Sequence, residues 1–378
     1  MAAKTDRERL AAATRAAAAG AVRELGRLLD RDGELARQPG PILEAAAAGR
    51  PETVALLLER GADPDARSLS ENRYRPLHRA VEAKATIPRH EGHHAVVRLL
   101  AARGADLAGR GCWYQLTPLA CAAFSDSREM LPTLLDCGAR VDFFTAAALG
   151  DRRRVARALA RNPKRAAQRD GNRMMALHLC AGSGLGRRDR GRGAELARVA
   201  TLLLDAGAPL EAPANPQEDH TDGDFGRPLY WAAAWGKVPE VLRVLLERGA
   251  DLSRGSPILE ALWGGGEEVA AILHAAGADV DAPGEKGWTP LYTLAHWGRT
   301  RMVSWLLAHG ADPRTTGANG DTPLHVAARK GMSSAILAAM LAAGADPRAR
   351  NEAGETPLDQ ARAHGKERAA ELLSGELQ

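Results

Sequence analysis

The tripeptide Gly-Ala-Asp, or a close variant of it, recurs along most of the chain and limits the possible folds more than any other feature. The copies begin at Gly61, Gly104, Gly138, Gly207, Gly249, Gly277, Gly310 and Gly344. Most of their spacings cluster around 33–34 residues, provided that the interval from Gly138 to Gly207 is taken as two units. A period of this length is typical of solenoids, in which a unit buries its apolar face only against its neighbours.

A second motif, Thr-Pro-Leu-x, lies upstream of the Gly-Ala copies. Full copies occupy 117–120, 289–292, 322–325 and 356–359, and degenerate copies occupy 40–43, 75–78, 175–178, 227–230 and 256–259. Thr favours the position that caps a helix N-terminus, and Pro suits the first turn because the amide that it lacks would be unpaired there. Gly331 and Gly344 can take the left-handed conformation that ends a helix. The motifs therefore predict two helices in each unit.

In these motifs the chain resembles the ankyrin-repeat family, most closely over residues 319–346. The resemblance covers nearly the whole chain and implies an all-α ankyrin-repeat solenoid of helix-turn-helix units with short β-type finger loops. We predict about eleven units in one solenoid, and Arg161–Lys164 as a joint where the superhelix changes curvature. The predicted boundaries are capping helices at about 1–39, units one to three at 40–142, a degenerate unit four at 143–170, units five to nine at 171–350 and a C-terminal cap at 351–378.

Three insertions interrupt the repeat. Two of them, near 84–91 and 184–194, fall between the two helices of a unit, and we expect them outside the repeating core. The third, 211–226, lengthens a finger loop, and the family's fingers project along the concave face. A solvated loop is the favoured interpretation of its acidic residues; a ligand contact through Asp219, Asp222 and Asp224 is the second, and we include these residues in the predicted site. A metal site is less favoured, because the calcium-loop pattern and its closing Glu are missing.

Six of the seven tryptophans lie between residues 231 and 305. Trp305 takes a leucine position of a second helix, which predicts a core residue. The others lie mostly at first-helix positions that face the groove in the family. They either fill space between shortened fingers or line a pocket, and we favour the pocket because exposed Trp commonly marks a binding surface. The predicted ligand-binding residues, beside the three aspartates, are Tyr230, Trp231, Trp235, Trp263, Trp288, Tyr292, His296 and Trp297.

Basic residues are concentrated between 151 and 200, where 14 Arg or Lys accompany four acidic residues. Three interpretations stay open: a solvated face, a surface for an acidic protein, and a nucleic-acid site. The last is the least favoured, since no aromatic residue interleaves with the arginines. The predicted basic patch consists of Arg152, Arg153, Arg154, Arg187, Arg188, Arg190 and Arg192.

Motifs of metal and acid–base chemistry are weak. His90–His94 fits the HExxH pattern of zinc hydrolases, but Pro88 and Gly92 disfavour the helix it needs, and Gly92–Leu100 matches the repeat. We therefore predict no metal site. The histidines of the Thr-Pro-Leu-x motif are expected to bridge backbone groups of adjoining turns; they are His78, His178 and His325.

The resemblance implies a binding protein that presents a concave surface, usually to another protein, without a cofactor. We predict a cytoplasmic protein, because the N-terminus turns charged at once and no apolar run reaches the length of a membrane span. Its predicted partner is a protein or peptide, cationic at the groove and acidic at the basic patch. The first alternative is a small-molecule or peptide-modifying enzyme that uses His220, Asp222 or His296. The second is a nucleic-acid binder at residues 152–192.

Overall fold

The computed structural model describes residues 2–69, 73–82, 91–112, 114–214, 226–284 and 286–376. In these ranges the regular structure is helical, and pairing between extended segments is limited to two isolated bridges, Gly111 with Leu116 and Arg169 with Met175. The chain divides into two compact bodies. The N-terminal body holds Met1–Pro209 with Ala214–His220, and the C-terminal body holds Leu210–Pro213 with Thr221–Gln378.

The helices of the N-terminal body are arranged in pairs. They are α1 (Ala2–Ala19), α2 (Val22–Arg31), α3 (Glu34–Arg37), α4 (Pro39–Ala47), α5 (Pro51–Glu59), α6 (Pro76–Val81), α7 (Glu91–Ala102), α8 (Pro118–Phe124), α9 (Met130–Asp136), α10 (Phe143–Ala148), α11 (Arg152–Arg161), α12 (Ala176–Gly182) and α13 (Arg190–Asp205). The first helices of successive pairs, α1, α4, α6, α8, α10 and α12, pack each on the next. The core is therefore shared between neighbouring pairs, as a stacked fold requires.

The C-terminal body continues the same pattern. Its helices are α14 (Pro228–Trp231), α15 (Pro239–Glu247), α16 (Pro257–Trp263), α17 (Glu267–Ala275), α18 (Pro290–His296), α19 (Thr300–Ala308), α20 (Pro323–Lys330), α21 (Ser334–Ala342), α22 (Pro357–Ala363) and α23 (Glu367–Gly375). A π-helical turn, Ala232–Gly236, extends α14. The described helices of both bodies make eleven pairs when α3 is counted with the first pair. The single continuous solenoid stays a prediction.

The predicted helix caps are confirmed. The side chains of Thr117, Thr289, Thr322 and Thr356 each accept a hydrogen bond from the backbone N–H three residues later, and each is followed by a first-turn Pro. Gly331 and Gly344 adopt φ angles of +64° and +99°. A Cβ atom would strain the backbone in this region, so Gly is the suitable residue at both helix ends.

The histidines of the motif are buried and hydrogen-bonded to the backbone. Nε2 of His78 lies 2.8 Å from the carbonyl oxygen of Leu116, and Nε2 of His325 lies 3.0 Å from that of Glu355, in each case in the turn before the next first helix. Nδ1 of His178 accepts a hydrogen bond from the N–H of Met175 at the start of its own helix. The predicted bridging role is confirmed for His325, whose Nδ1 also accepts a 3.1 Å hydrogen bond from the N–H of Thr322. His78 makes the contact to the next turn, but its Nδ1 has no hydrogen-bond partner among the described residues.

The degenerate unit forms an ordinary helix pair, α10 and α11, without the Thr-Pro-Leu-x motif. Asp142 and Asp151 replace threonine as caps, because their carboxylates accept hydrogen bonds of 2.7 Å from the N–H of Thr145 and 3.0 Å from that of Arg154. Helix α10 packs on α12, and α11 packs on α13. A change of superhelix curvature at 161–164 stays a prediction.

The insertion at 184–194 is partly core, contrary to the prediction. The N–H of Gly184 donates a 2.9 Å hydrogen bond to the carbonyl of Ala123 in α8, two pairs earlier, and Leu185 is buried. The backbone hydrogen bond holds the chain against α8. Burial of the Leu185 side chain at this turn is then favourable, because it removes apolar surface from water. The residues 83–90 of the other insertion lie outside the described residues.

Candidate functional site

Two exposed tryptophans stand at the ends of neighbouring first helices in the C-terminal body. Trp263 is the last residue of α16 and is 41% exposed, while Trp297 follows α18 and is 59% exposed. Their ring centroids lie 5.7 Å apart at an interplanar angle of 84°. This edge-to-face arrangement is a favourable geometry for aromatic rings, and it leaves indole faces open to solvent.

The cluster continues from Trp297 to three more rings of the same pair. The ring of His296 lies 5.7 Å from Trp297 and 5.6 Å from Trp288, and it stacks on Tyr292 at 6.2 Å with an interplanar angle of 22°. Trp288 and Tyr292 are 5.0 Å apart. We call these five residues, 263, 288, 292, 296 and 297, the aromatic row. Tyr292 is buried and supports the others, whereas Trp288 and His296 are half-buried.

The prediction of an exposed indole at Trp231 is wrong. Trp231 is 2% exposed, and its indole N–H donates a 2.9 Å hydrogen bond to the carbonyl of Gly226. With that donor satisfied, the ring can enter the core without an unpaired polar atom. Trp235, by contrast, is 38% exposed, and Tyr230 is half-buried. Trp235 lies in the π-helical turn after α14, at the end of the first helix of the pair that precedes the pair of Trp263.

Trp305 is half-buried in α19, so its predicted place in the core is also wrong. Its ring stacks on His309 at a centroid distance of 3.7 Å. Nδ1 of His309 lies 2.7 Å from the Trp305 carbonyl oxygen, which holds the imidazole against the indole. The ring is thus flanked by His309 and, at a centroid distance of 6.3 Å, by His274 of the neighbouring second helix α17, and it stays partly open to solvent.

The described charges around the aromatic row are mainly cationic. Nζ of Lys286 lies 5.0 Å from the ring centroid of Trp288, and the guanidinium carbon of Arg299 lies 5.8 Å from that of Trp263. Both distances fit a cation–π contact. The buried carboxylate of Asp321 is 2.6 Å from Arg329 and is therefore already neutralised.

Of the three residues that the enzyme alternative uses as acid–base groups, His296 lies among the described residues. Burial, and then the charges of Lys330, Arg329 and Lys286, lower the pKa of His296, so the imidazole is neutral at pH 7. Its Nδ1 has no hydrogen-bond partner among the described residues. A general base is usually oriented by a second polar group, and in the described part of the chain the contacts of this ring are aromatic. His220 and Asp222 lie outside the described residues.

The base of the long finger is tied to the C-terminal body by a buried arginine. Arg227 donates hydrogen bonds of 2.7 Å to the carboxylate of Glu211 and 3.0 Å to the carbonyl of Arg254. The other carboxylate oxygen of Glu211 accepts a 3.0 Å bond from the N–H of Asp251. The acidic residues of the finger, Asp219, Asp222 and Asp224, lie outside the described residues, so their predicted ligand contacts stay a prediction.

The basic patch separates into two groups in the N-terminal body. Arg152, Arg153 and Arg154 form the exposed first turn of α11. Arg188, Arg190 and Arg192 are exposed around the start of α13. Arg187 differs from them, because its guanidinium donates a 3.3 Å hydrogen bond to the carbonyl of Phe124. Arg187 therefore ties the insertion to α8, although its side chain is exposed like those of the other patch residues.

The two described histidines of the segment with the HExxH pattern, His93 and His94, belong to the packing of helix pairs. His93 is buried, with Nε2 3.2 Å from the carbonyl oxygen of Ala47, and Nδ1 of His94 lies 2.8 Å from the hydroxyl of Thr133. His90 lies outside the described residues. Across the ranges that the structure describes, no group of three His, Cys, Asp or Glu residues is placed to hold a metal ion.

Comparison with known proteins agrees with the helix pairs. A family model described as ankyrin repeats in three copies matches residues 42–145 and 258–351. No curated protein matches the chain. No helix among the described residues is long and apolar enough to cross a membrane. The matched residues make up more than half of the chain and coincide with stacked helix pairs, and the chain therefore belongs to the ankyrin-repeat family.

Proposed function

We propose that this chain is a protein-interaction protein that binds a peptide segment of its partner at the aromatic row, with Trp235 as a further contact. Ankyrin repeats are in general protein–protein interaction modules. The observation that carries the proposal is the exposure of Trp235, Trp263 and Trp297 at the ends of three successive first helices. Three exposed indoles are unfavourable in water unless another molecule packs on them.

The charges favour a guest with apolar and acidic side chains. Lys286 and Arg299 already lie near the ring faces of Trp288 and Trp263, so a cationic side chain would have to displace them. A carboxylate beside an indole would instead pair with these two residues. A cationic guest, which the acidic residues of the long finger favour, is the opposing outcome.

The experiment compares full-length wild type with the double variant Trp263→Ala/Trp297→Ala. Peptides are selected on wild type from a displayed random library, and their affinities for both proteins are measured by fluorescence polarisation. We expect the double variant to weaken binding about five- to 150-fold, because each of the two aromatic contacts contributes about 0.5–1.5 kcal/mol. The selected sequences should be rich in apolar and acidic residues.

The matched control is Trp305→Ala, which removes an indole from a second helix of the same body and should leave affinity unchanged. Circular dichroism and melting temperature should be nearly the same for wild type and double variant. Selected peptides that bind the double variant as well as wild type would refute the site. If the selected peptides are uniformly basic but still need the two tryptophans, the binding site is supported and the proposed acidic character of the bound peptide is refuted.

A further inference from the structure

A cleft of about 800 Å³ lies in the N-terminal body between the second helices α9 and α11. Helix α7 packs on α9 and α11 packs on α13, but α9 and α11 do not pack closely on each other. The gap thus interrupts the layer of second helices at one place. Its volume falls within the range of ligand-binding pockets.

One part of the lining is aliphatic, and we call it the floor. Leu131, Pro132 and Leu135 line it from α9, and Leu149 and Leu185 line it from the neighbouring turns. Leu135 is 43% exposed and is one of the few large apolar side chains exposed among the described residues. Aliphatic side chains on the floor favour an occupant that carries apolar groups of its own.

The other part of the lining is basic, and we call it the rim. Arg152, Arg153 and Arg154 of α11 and Arg192 of α13 line it together with Arg128. Arg128 pairs with Asp126 at 2.8 Å, whereas Arg153 and Arg192 form no ion pair with any residue in the described ranges. Both are exposed, so their guanidinium groups are available to an anion.

Two of the three acidic residues in the lining are occupied as helix caps. The carboxylates of Asp151 and Asp189 accept hydrogen bonds from the N–H of Arg154 and Arg192, at 3.0 and 3.1 Å. The third, Glu195, pairs with Arg198. Moreover, three consecutive arginines in the first turn of α11 lie at the positive end of the helix dipole, where cations are disfavoured. Carboxylates brought by a ligand would relieve this repulsion.

We propose that this cleft binds an acidic protein segment that places leucine-like side chains on the floor and carboxylates against Arg153 and Arg192. The phosphate backbone of a nucleic acid would pair with the arginines of the rim but would leave the leucines of the floor exposed to water. The lining also contains no aromatic side chain on which a base could stack. The proposal rests on the N-terminal body alone and does not depend on the aromatic row.

The test uses the full-length protein and a short synthetic peptide in which glutamates and leucines alternate at helical spacing. Two further probes carry the same net charge as this peptide. They are the peptide with serine in place of each leucine, and a single-stranded oligothymidylate. Binding is followed by fluorescence polarisation at two salt concentrations. We expect saturable binding of the leucine peptide and at least about tenfold weaker binding of both other probes.

The cleft variant is Arg153→Glu/Arg192→Glu, and the matched control is Arg188→Glu/Arg243→Glu, which changes the net charge equally at exposed positions outside the lining. The cleft variant should weaken the peptide at least about tenfold, and the control should change its affinity less than about twofold. A second variant, Leu135→Ser, tests the floor and should weaken the leucine peptide alone. Absence of saturable binding, equal loss in both charge variants, or stronger binding of the oligonucleotide overturns the proposal.

Discussion

The indole N–H of Trp231 donates a 2.9 Å hydrogen bond to the carbonyl of Gly226, the last residue of the long finger. This bond joins α14 to the end of the loop and satisfies the polar atom of the ring. Trp231 is consequently the largest side chain that is almost completely buried in the C-terminal body. The tryptophan-rich region therefore contains both a structural indole and exposed ones.

The first prediction separates these two classes. Trp231→Ala should lower the free energy of unfolding by about 3–5 kcal/mol, because it leaves a cavity and an unpaired carbonyl. Trp297→Ala should change it by less than about 1 kcal/mol, because that ring is mostly exposed. Urea denaturation followed by circular dichroism measures both values. Equal losses would mean that Trp297 is also structural.

The second prediction concerns Leu324, which is fully buried in α20. Leu324→Ala should cost about 2–5 kcal/mol, the range for a buried leucine whose site cannot collapse. In a stacked fold the loosening should appear first in α20 and in α18 and α22, which pack against it. Hydrogen exchange read by mass spectrometry locates the effect. Uniform loosening from α1 onward contradicts the expectation.

The third prediction tests the arginine at the base of the long finger. Glu211→Gln should cost about 1–3 kcal/mol, because the buried guanidinium of Arg227 loses its charged partner and the amide NH₂ opposes the N–H of Asp251. The control Glu247→Gln makes the same chemical change at an exposed position of α15 and should be nearly neutral. Thermal melting of the two variants gives the comparison. No difference between them would show that this ion pair adds nothing to stability.

The fourth prediction is a pH dependence that originates at His78. Burial, followed by the charge of Arg75, lowers the pKa of His78 from 6.5 to about 4, although the hydrogen bond to Leu116 opposes the shift. Between these two values the unfolded chain binds a proton that the folded protein does not. Stability should therefore be complete above pH 6.5 and fall by roughly 3 kcal/mol as the pH approaches 4.

The measurement for His78 is the free energy of unfolding at several pH values, for wild type and for His78→Gln. The glutamine amide can still donate to the Leu116 carbonyl but does not titrate. The difference between the two proteins should accordingly shrink as the pH falls. A difference that stays constant from pH 7 to pH 4 would assign the pH dependence to other groups.

The repeat motifs determined the pairing and capping of the helices, because both depend on local chemistry. Thr322 before Pro323, and Gly331 after the helix, specify a start and an end whichever neighbour packs on them. The same holds for His325, whose position in the motif places it beside the next turn. Family resemblance added the stacking of the pairs.

Tertiary structure decided which residues of the tryptophan-rich region are exposed. Trp231 and Trp235 lie four residues apart, yet the first is buried and the second is open, because the helix changes from α to π between them and Gly226 accepts the hydrogen bond of the first. The cationic surroundings of the aromatic row come from Lys286, Arg299 and Arg329, three residues of different loops and helices. The gap between α9 and α11 likewise follows from how whole pairs pack, since periodicity records the spacing of helices along the chain and not the distances between them in space.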